Sequence, residues 1–430
     1  NKDVSCNIVL PSITPVSDYE SLGWYNGNTK VGDTNGTYAL NEDIIFTSKA
    51  GKLEPYMMAR DTTKAFWQSD YINKISTVDV LDNKNVPSDA VISWDVSDKQ
   101  NKSVMAWFIN DPDNAGMYKL YIGGNGGVYA NENSNLLFEG GNGGVFGKTT
   151  LMKLSNLKTN YVTNMRGMFS ACSEIVNLDL SSFETSKVAN MNGMFDGCNK
   201  LVDLNISSFN TSSVTSMVAM FQKCNSIINL DVSNFDTQNV TTFYGMFWGM
   251  TKLKTLDVSN FNTSKATNMR TMFGKCSSLT EVNVSNFDTS NVINMRSMFQ
   301  DCSSLTALDV SNWDTSSVTN MNGTFMGLTL SEIKGLEKID TSHVSDMEAM
   351  FYNDNNFIFL DLSNFDTSNV TNMRWLFSGC TNLIKLNLCN FDTSKVTNMN
   401  YMFQNTPNLK YVYVGPNWTT TNATTTDMFT

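Results

Sequence analysis

The sequence predicts an α/β repeat solenoid, a parallel strand ladder backed by short helices and preceded by small β-rich regions. Three observations carry that expectation. A Met-Phe or closely related pair places phenylalanine at Phe169, Phe195, Phe221, Phe247, Phe273, Phe299, Phe325, Phe351, Phe377, Phe403 and Phe429, always 26 residues apart. A fixed period of this length marks stacked units that bury their apolar faces against one another. Two apolar columns lie two residues apart, Leu178/Leu204/Leu230/Leu256/Val282/Leu308 and Leu180/Ile206/Val232/Val258/Val284/Val310, which is the inward face of a short strand. Finally, Val188, Met191, Met194 and Phe195 are spaced i, i+3, i+6, i+7, the apolar stripe expected of a short helix.

At 430 residues the chain exceeds one ordinary core. Its 41% hydrophobic content is too high for a disordered chain. A formal charge of −11 with dispersed basic residues argues against nucleic acid and anionic lipid as partners. Charged residues make up only 17%, and abundant Asn, Ser and Thr suit a secreted surface protein with a neutral hydrogen-bonding exterior. No run of about 18 apolar residues is present, so no membrane span is expected in this chain. The polar start at Asn1 reads as a mature or trimmed end. An array ending one residue after a Met-Phe pair is expected to continue past Thr430, because stacked repeats close with a polar cap.

In chain order, residues 1–50 form a small β module. Asn26-Gly27 and Thr34-Asn35-Gly36 are turn chemistry, and Ile44 and Phe46 alternate with Asp43 and Thr47 as a final strand would. Residues 51–147 form a cap over the open end of the array. Within it, Ala65–Val80 reads as a helix or turn running into a strand. Ala90–Val96 and Val104–Ile109 are strands, and Asp111–Gly116 is a hairpin turn with Tyr118–Ile122 as its return strand. Phe138 reads as the first, degenerate Met-Phe position, one period plus five from Phe169, with Gly140–Gly144 as the insertion. Residues 148–430 are about ten to eleven 26-residue repeats.

Leu22-Gly23-Trp24-Tyr25, Tyr38 and Phe46-Thr47-Ser48-Lys49-Ala50 resemble the internalin-type B-repeat, without its usual opening strand and paired glycines. The repeated phrase, clearest from Val282 to Phe299, resembles the surface-protein repeat of the BspA-like leucine-rich-repeat family. Tyr121–Val128 is similar to the segment that often precedes such arrays. This resemblance implies a leucine-rich-repeat-like fold, display at the bacterial cell surface, and adhesion.

The columns explain most of the residues that suggest chemistry. Eighteen of the 25 methionines fall in the two stripe columns, where a flexible thioether fills space between units. Cys172, Cys198, Cys224, Cys276, Cys302 and Cys380 share a column with Met250 and Leu328, so they read as buried free thiols; no CxxC spacing suggests zinc. Cys6 and Cys389 fit no column role. Asp179, Asp231, Asp257, Asp309 and Asp361 point outward between the strand columns. A calcium ladder is the alternative there, disfavoured by the interleaved Asn205, Asn283 and Asn387. A second acidic column, including Asp236, Asp288 and Asp314, reads as turn capping. Asp111–Gly116 begins like a calcium loop but lacks the later acceptors. His343 is a surface variant, and Gly123–Gly127 do not precede a Lys-Ser/Thr. No cofactor and no catalytic activity are expected.

Function is expected where units depart from consensus. Tyr244 and Trp248 replace small or polar residues. The unit from Leu328 to Asp354 breaks the acidic ladder that includes Asp309, with Gly335 in place of Asp. Phe359, Tyr411 and Tyr413 place aromatics beside Asp361 on the outward strand face. These seven residues, Asp309, Phe359, Asp361, Tyr411, Tyr413, Tyr244 and Trp248, are the candidate ligand-binding set, with repeat drift as the competing explanation. The expected function is non-catalytic adhesion to a host or neighbouring-cell surface protein or glycan. The rival is a structural spacer or surface-layer component without a specific ligand.

Overall fold

A period of 26 residues lets each backbone group meet its own equivalent one rung further on, and that pairing organises the chain. The computed structural model describes residues 6–12, 19–26, 28–33, 35–40, 45–52, 54–60, 66–71, 73–141 and 145–430. Gly27, Thr34, Asp43, Ile44, Ala65, Gly143 and Gly144, which the sequence reading used for turns, a strand and an insertion, lie outside the described residues, as does the Cys6 side chain.

The N-terminal segments are β1 (Cys6–Val9), β2 (Tyr19–Asn26), β3 (Thr29–Gly32), β4 (Thr37–Leu40) and β5 (Phe46–Lys52). β1 pairs with β4, and β2 lies between β3 and β5, all antiparallel. Tyr38 and Phe46 meet edge to face at 5.3 Å, and the Trp24 indole donates to Pro11 O at 2.9 Å.

The next region is built on β6 (Ile75–Leu81), β7 (Ile92–Asp95), β8 (Val104–Asn110) and β9 (Tyr118–Gly124), followed by β10 (Val128–Tyr129), β11 (Leu151–Lys153) and β12 (Leu157–Lys158). A 3-10 turn at Ser69–Tyr71 leads into β6. The expected hairpin is present: β8 and β9 pair from Val104↔Gly124 to Asn110↔Tyr118. Asp111 closes its turn by accepting from Asp113 N and Asn114 Nδ2 at 3.0 and 2.8 Å. The five-stranded sheet runs β11-β6-β9-β8-β7, so β11 from the repeat region joins the preceding sheet in parallel with β6. Phe138 stacks on Phe169 at 5.7 Å, and one apolar cluster runs from Met57 to Met428.

The α/β solenoid expectation is not what the chain forms. Among the described residues there is no α-helix; beyond β12 lie a single 3-10 turn, Leu336–Lys338, and strands of two to four residues in small separate sheets. The Val188–Phe195 stripe is buried as expected, but as successive turns. Met194 N, Asp196 N and Cys198 N close local turns onto Met191 O, Gly193 O and Phe195 O. The intervening Gly193 N, Phe195 N and Gly197 N donate instead to Val218 O, Met220 O and Gln222 O of the next rung. A helix would spend those donors within its own turn. Gly193 and Gly197 are left-handed (φ +59° and +76°), and most rungs repeat this pair four residues apart. A left-handed residue in every turn is incompatible with a continuing right-handed helix.

The strand columns do pair in parallel, over short stretches: β13 (Asn177–Asp179) with β14 (Asp203–Asn205), β15 (Thr255–Leu256) with β16 (Glu281–Val282), and β17 (Phe359–Asp361) with β18 (Lys385–Leu388) and β19 (Tyr411–Val414). Behind them the phenylalanines stack from Phe138 to Phe299 and from Phe325 to Phe429, with neighbouring centroids 5.0–5.9 Å apart. The methionine columns pack around these rings, essentially without exposure.

Polar columns tie the rungs together. Thr211 Oγ1 donates to Asp236 O and accepts from Asp236 N, both at 2.8 Å, and Thr185, Thr237 and Thr367 repeat the arrangement one rung on. Asn234 and Asn260 each donate Nδ2 to carbonyls of the preceding rung. Cys198, Cys224, Cys276, Cys302 and Cys380 are free, buried thiols that donate to the phenylalanine carbonyl 29 residues earlier at 3.0–3.2 Å. Burial pushes the Cys198 and Cys276 thiols up to about 12.

Candidate functional site

The strand face is set by register. Phe359, Lys385 and Tyr411 form one row across β17, β18 and β19, and Asp361, Asn387 and Tyr413 form the next. Period-two alternation turns Leu360, Leu386 and Leu388 into the core, so the intervening side chains face outward. Phe359, Tyr411 and Tyr413 are 51%, 51% and 47% exposed. The two tyrosine rings lie nearly parallel at 6.5 Å, and the Lys385 ammonium sits 5.9 Å from the Tyr411 centroid. Beside the entry to β17 and β18 runs a groove of about 850 Å³, lined by Thr306, Leu330, Asn356, Ile358, Ile384 and Asn408.

The outward carboxylates have local work. Asp361 Oδ1 accepts the Ser363 N–H at 3.0 Å, and hydrogen bonds from Ser363 hold its carboxyl below the usual range. Asp179, Asp231 and Asp257 take the same bond from the serine two residues on. Both acidic columns therefore cap turns, a role the sequence reading gave to the second column alone. Asp309 is further committed: Lys334 Nζ lies 2.6 Å from Oδ2, while Ser311 donates N–H and O–H to Oδ1. The Lys334 hydrogen bond, then those of Ser311, hold the Asp309 carboxyl far below the usual range.

Tyr244 and Trp248 stand elsewhere, on the turn segment of their rung. The Arg270 guanidinium lies 5.3 Å from the Tyr244 centroid, and Lys223 and Lys275 flank Trp248 at 5.5 and 5.4 Å from the rungs on either side. The seven candidates thus separate: Phe359, Asp361, Tyr411 and Tyr413 share one face, Asp309 is held in an ion pair, and Tyr244 and Trp248 mark the turn edge.

Sequence reasoning missed a second cluster on that edge. Trp375 stacks on Tyr401 at 5.8 Å and meets Tyr352 at 6.4 Å, with the Arg374 guanidinium 3.6 Å above the indole. Tyr352 occupies the same repeat column as Trp248. The available signal was Trp375 itself, in a column that reads Gly193, Ala219, Gly245, Thr271, Ser297, Gly323 and Ala349 in preceding rungs. Asp354 was also overlooked. It occupies the cysteine column, fully buried, where Oδ1 accepts the Leu328 N–H at 2.8 Å and Oδ2 has no partner. Burial raises its carboxyl well above the usual range.

Among the described residues, no group of three or more His, Cys, Asp and Glu is placed to hold a metal ion. Among the same residues, no helix is long and apolar enough to cross a membrane.

No curated protein matches the chain. Among solved structures, the crystal structure of the TLR13–ssRNA13 complex matches at 15% identity and a TM-score of 0.18, over 62% of this chain and 46% of that one. At that score the likeness carries no argument. The family described as "Mycoplasma protein of unknown function, DUF285" matches residues 143–256, 245–332 and 327–430. These matches together run through the whole of the stacked array, about two thirds of the chain, and the chain belongs to the DUF285 family.

Proposed function

We propose that the chain is a non-catalytic binding protein of a bacterial cell surface, whose strand face engages a protein or glycan partner. One observation carries the reading: three large aromatic side chains, about half exposed, stand in two adjacent register rows on one face of the β17–β18–β19 sheet, whose other side is anchored in the core through Leu360, Leu386 and Leu388. Aromatic groups held rigidly bind without a large ordering cost. They are also enriched among the residues that dominate interfaces. The groove beside Ile358 and Ile384 extends the face. The likeness of the rung to the BspA-like surface repeat supports surface display and adhesion. The test compares the intact chain with a F359S/D361N/Y411S/Y413S variant on an array of extracellular proteins and glycans. Saturable binding lost in the variant supports the reading; binding that survives all four changes removes the strand face as the site.

The uniformity of the threonine and asparagine columns favours a second reading, a structural spacer in which the stack extends and protects. A wild-type chain that binds nothing on the array, yet assembles into ordered layers, would support it.

A further inference from the structure

The turn edge carries a cleft of about 340 Å³, and neither its shape nor its lining belongs to the strand face. Four consecutive rungs build it. Ser297 and Ala349 occupy the small-residue column, and Trp375, the next residue in that column, rises as a wall. Tyr352 adds a second aromatic face, while Arg296, Asn322 and Glu348 contribute planar hydrogen-bonding groups from a neighbouring column. Glu348 is held in place by Asn372 Nδ2, 2.8 Å from its Oε2.

We propose that this cleft is a saccharide site for a short neutral oligosaccharide. A sugar ring presents an apolar C–H face and a rim of hydroxyls that both donate and accept. The faces of Trp375 and Tyr352 suit the first. Guanidinium, amide and carboxylate groups suit the second, and the opposed charges of Arg296 and Glu348 favour a neutral ligand. The volume lies near the lower end of small-molecule sites, which span roughly 300–1,000 Å³. It is too small to take a folded protein segment. Trp375 is backed by Tyr401 at 5.8 Å and by the Arg374 guanidinium at 3.6 Å, and the cleft runs along four rungs from Arg296 to Trp375, a length that suits an oligosaccharide rather than a single sugar.

The backbone supplies an independent observation. Trp375 and Tyr401 are left-handed, at φ +55° and +62°, where most earlier rungs place a small residue, often glycine. Bulky aromatics in that region are strained, and strain held by surrounding structure concentrates at ligand sites. It also makes the test clean, since Trp375→Gly restores the residue that Gly193, Gly245 and Gly323 already show the column accepts.

The experiment titrates the full chain with maltotriose, cellotriose and triacetylchitotriose, using calorimetry and ligand-observed saturation-transfer NMR. At least one trisaccharide should bind saturably with one site per chain. W375G should weaken it by about tenfold or more without lowering the melting temperature, and Y352A should weaken it independently. The strand-face variant F359S/Y411S/Y413S should bind the trisaccharide unchanged, which separates this site from the reading proposed above. The proposal is overturned if none of the three binds at millimolar concentration, if W375G and Y352A bind like wild type, or if the strand-face variant abolishes binding. A protein ligand lost in W375G with no trisaccharide bound overturns it equally.

Discussion

The rung spanning 204–229 and the rung spanning 328–353 contain the same number of residues and solve the same packing problem differently. In the first, Thr211 bonds both backbone groups of Asp236, Cys224 donates to Phe195 O, and Leu204 pairs with Leu178 at a spacing of 26. In the second, Leu328 occupies the cysteine column and has no thiol to donate, while the carboxyl of Asp354 in the following rung takes the Leu328 N–H. Lys334 pairs with Asp309 at a spacing of 25, and Gly335, at φ +89°, takes up the extra residue before a 3-10 turn begins at Leu336. The backbone is back in step by Asp340, which exchanges both bonds with Thr315. Strand register can therefore slip by one residue, as at a bulge, provided the threonine and phenylalanine columns stay aligned. The columns that define the stack are those that satisfy buried backbone or fill its centre.

The largest test of this contrast removes a column bond where nothing compensates. T211V keeps the volume but orphans the half-buried N–H and C=O of Asp236, each worth roughly 1–3 kcal/mol when fully buried, so it should cost about 2–3 kcal/mol in urea unfolding. A cost below about 1 kcal/mol would demote the threonine column to packing. Next comes the irregular rung's substitute contact. The folded state favours neutral Asp354, so this group's contribution is full below its unfolded value near ~3.9 and declines as pH rises towards its raised folded value. D354N removes that decline while keeping an acceptor for Leu328. Its stability relative to wild type should therefore rise with pH above about pH 4, by at most about 1.4 kcal/mol per pH unit, and level off once pH passes the raised folded value. A pH-independent difference would mean that Asp354 ionises without cost. Smallest is the slip itself. An alanine Cβ at Gly335 would lie 2.3 Å from Ser311 Cα on a left-handed backbone, so G335A should lose more than about 1 kcal/mol in thermal unfolding. An unchanged midpoint would show that the register slip does not depend on glycine.

Much of the array was legible because a repeated sequence reports its own columns. Phe169 through Phe403, the paired methionines and the six column cysteines are buried as their spacing implied, while Phe429 at the end of the column is exposed. So are strand residues such as Leu178 and Leu256, although the strands that they occupy are shorter than the pattern suggested. The helix was misread for an identifiable reason. Spacing i, i+3, i+6, i+7 reports which side chains point inward, and turns linked by left-handed residues bury the same set. Gly193, Gly197, Gly245, Gly249, Gly323 and Gly327 were the contrary signal. Of the candidate site, Phe359, Tyr411 and Tyr413 could be placed together because strand alternation fixes direction. The commitment of Asp309 to Lys334 could not be read, because it depends on a one-residue slip.

The sequence alone determined the period, the inward columns and the hairpin before the array. It did so because each depends on side-chain identity at fixed spacing. The tertiary structure decided where the backbone donors go. Met194 N closes a turn within its rung, while Gly193 N and Phe195 N reach the next, and that partition turns an apparent helix into stacked turns. It also decided which surfaces meet, bringing Trp375 from one rung beside Tyr352 from another and into one cleft with Arg296. Such contacts between rungs are set by packing distance and backbone handedness, which no single rung encodes by itself.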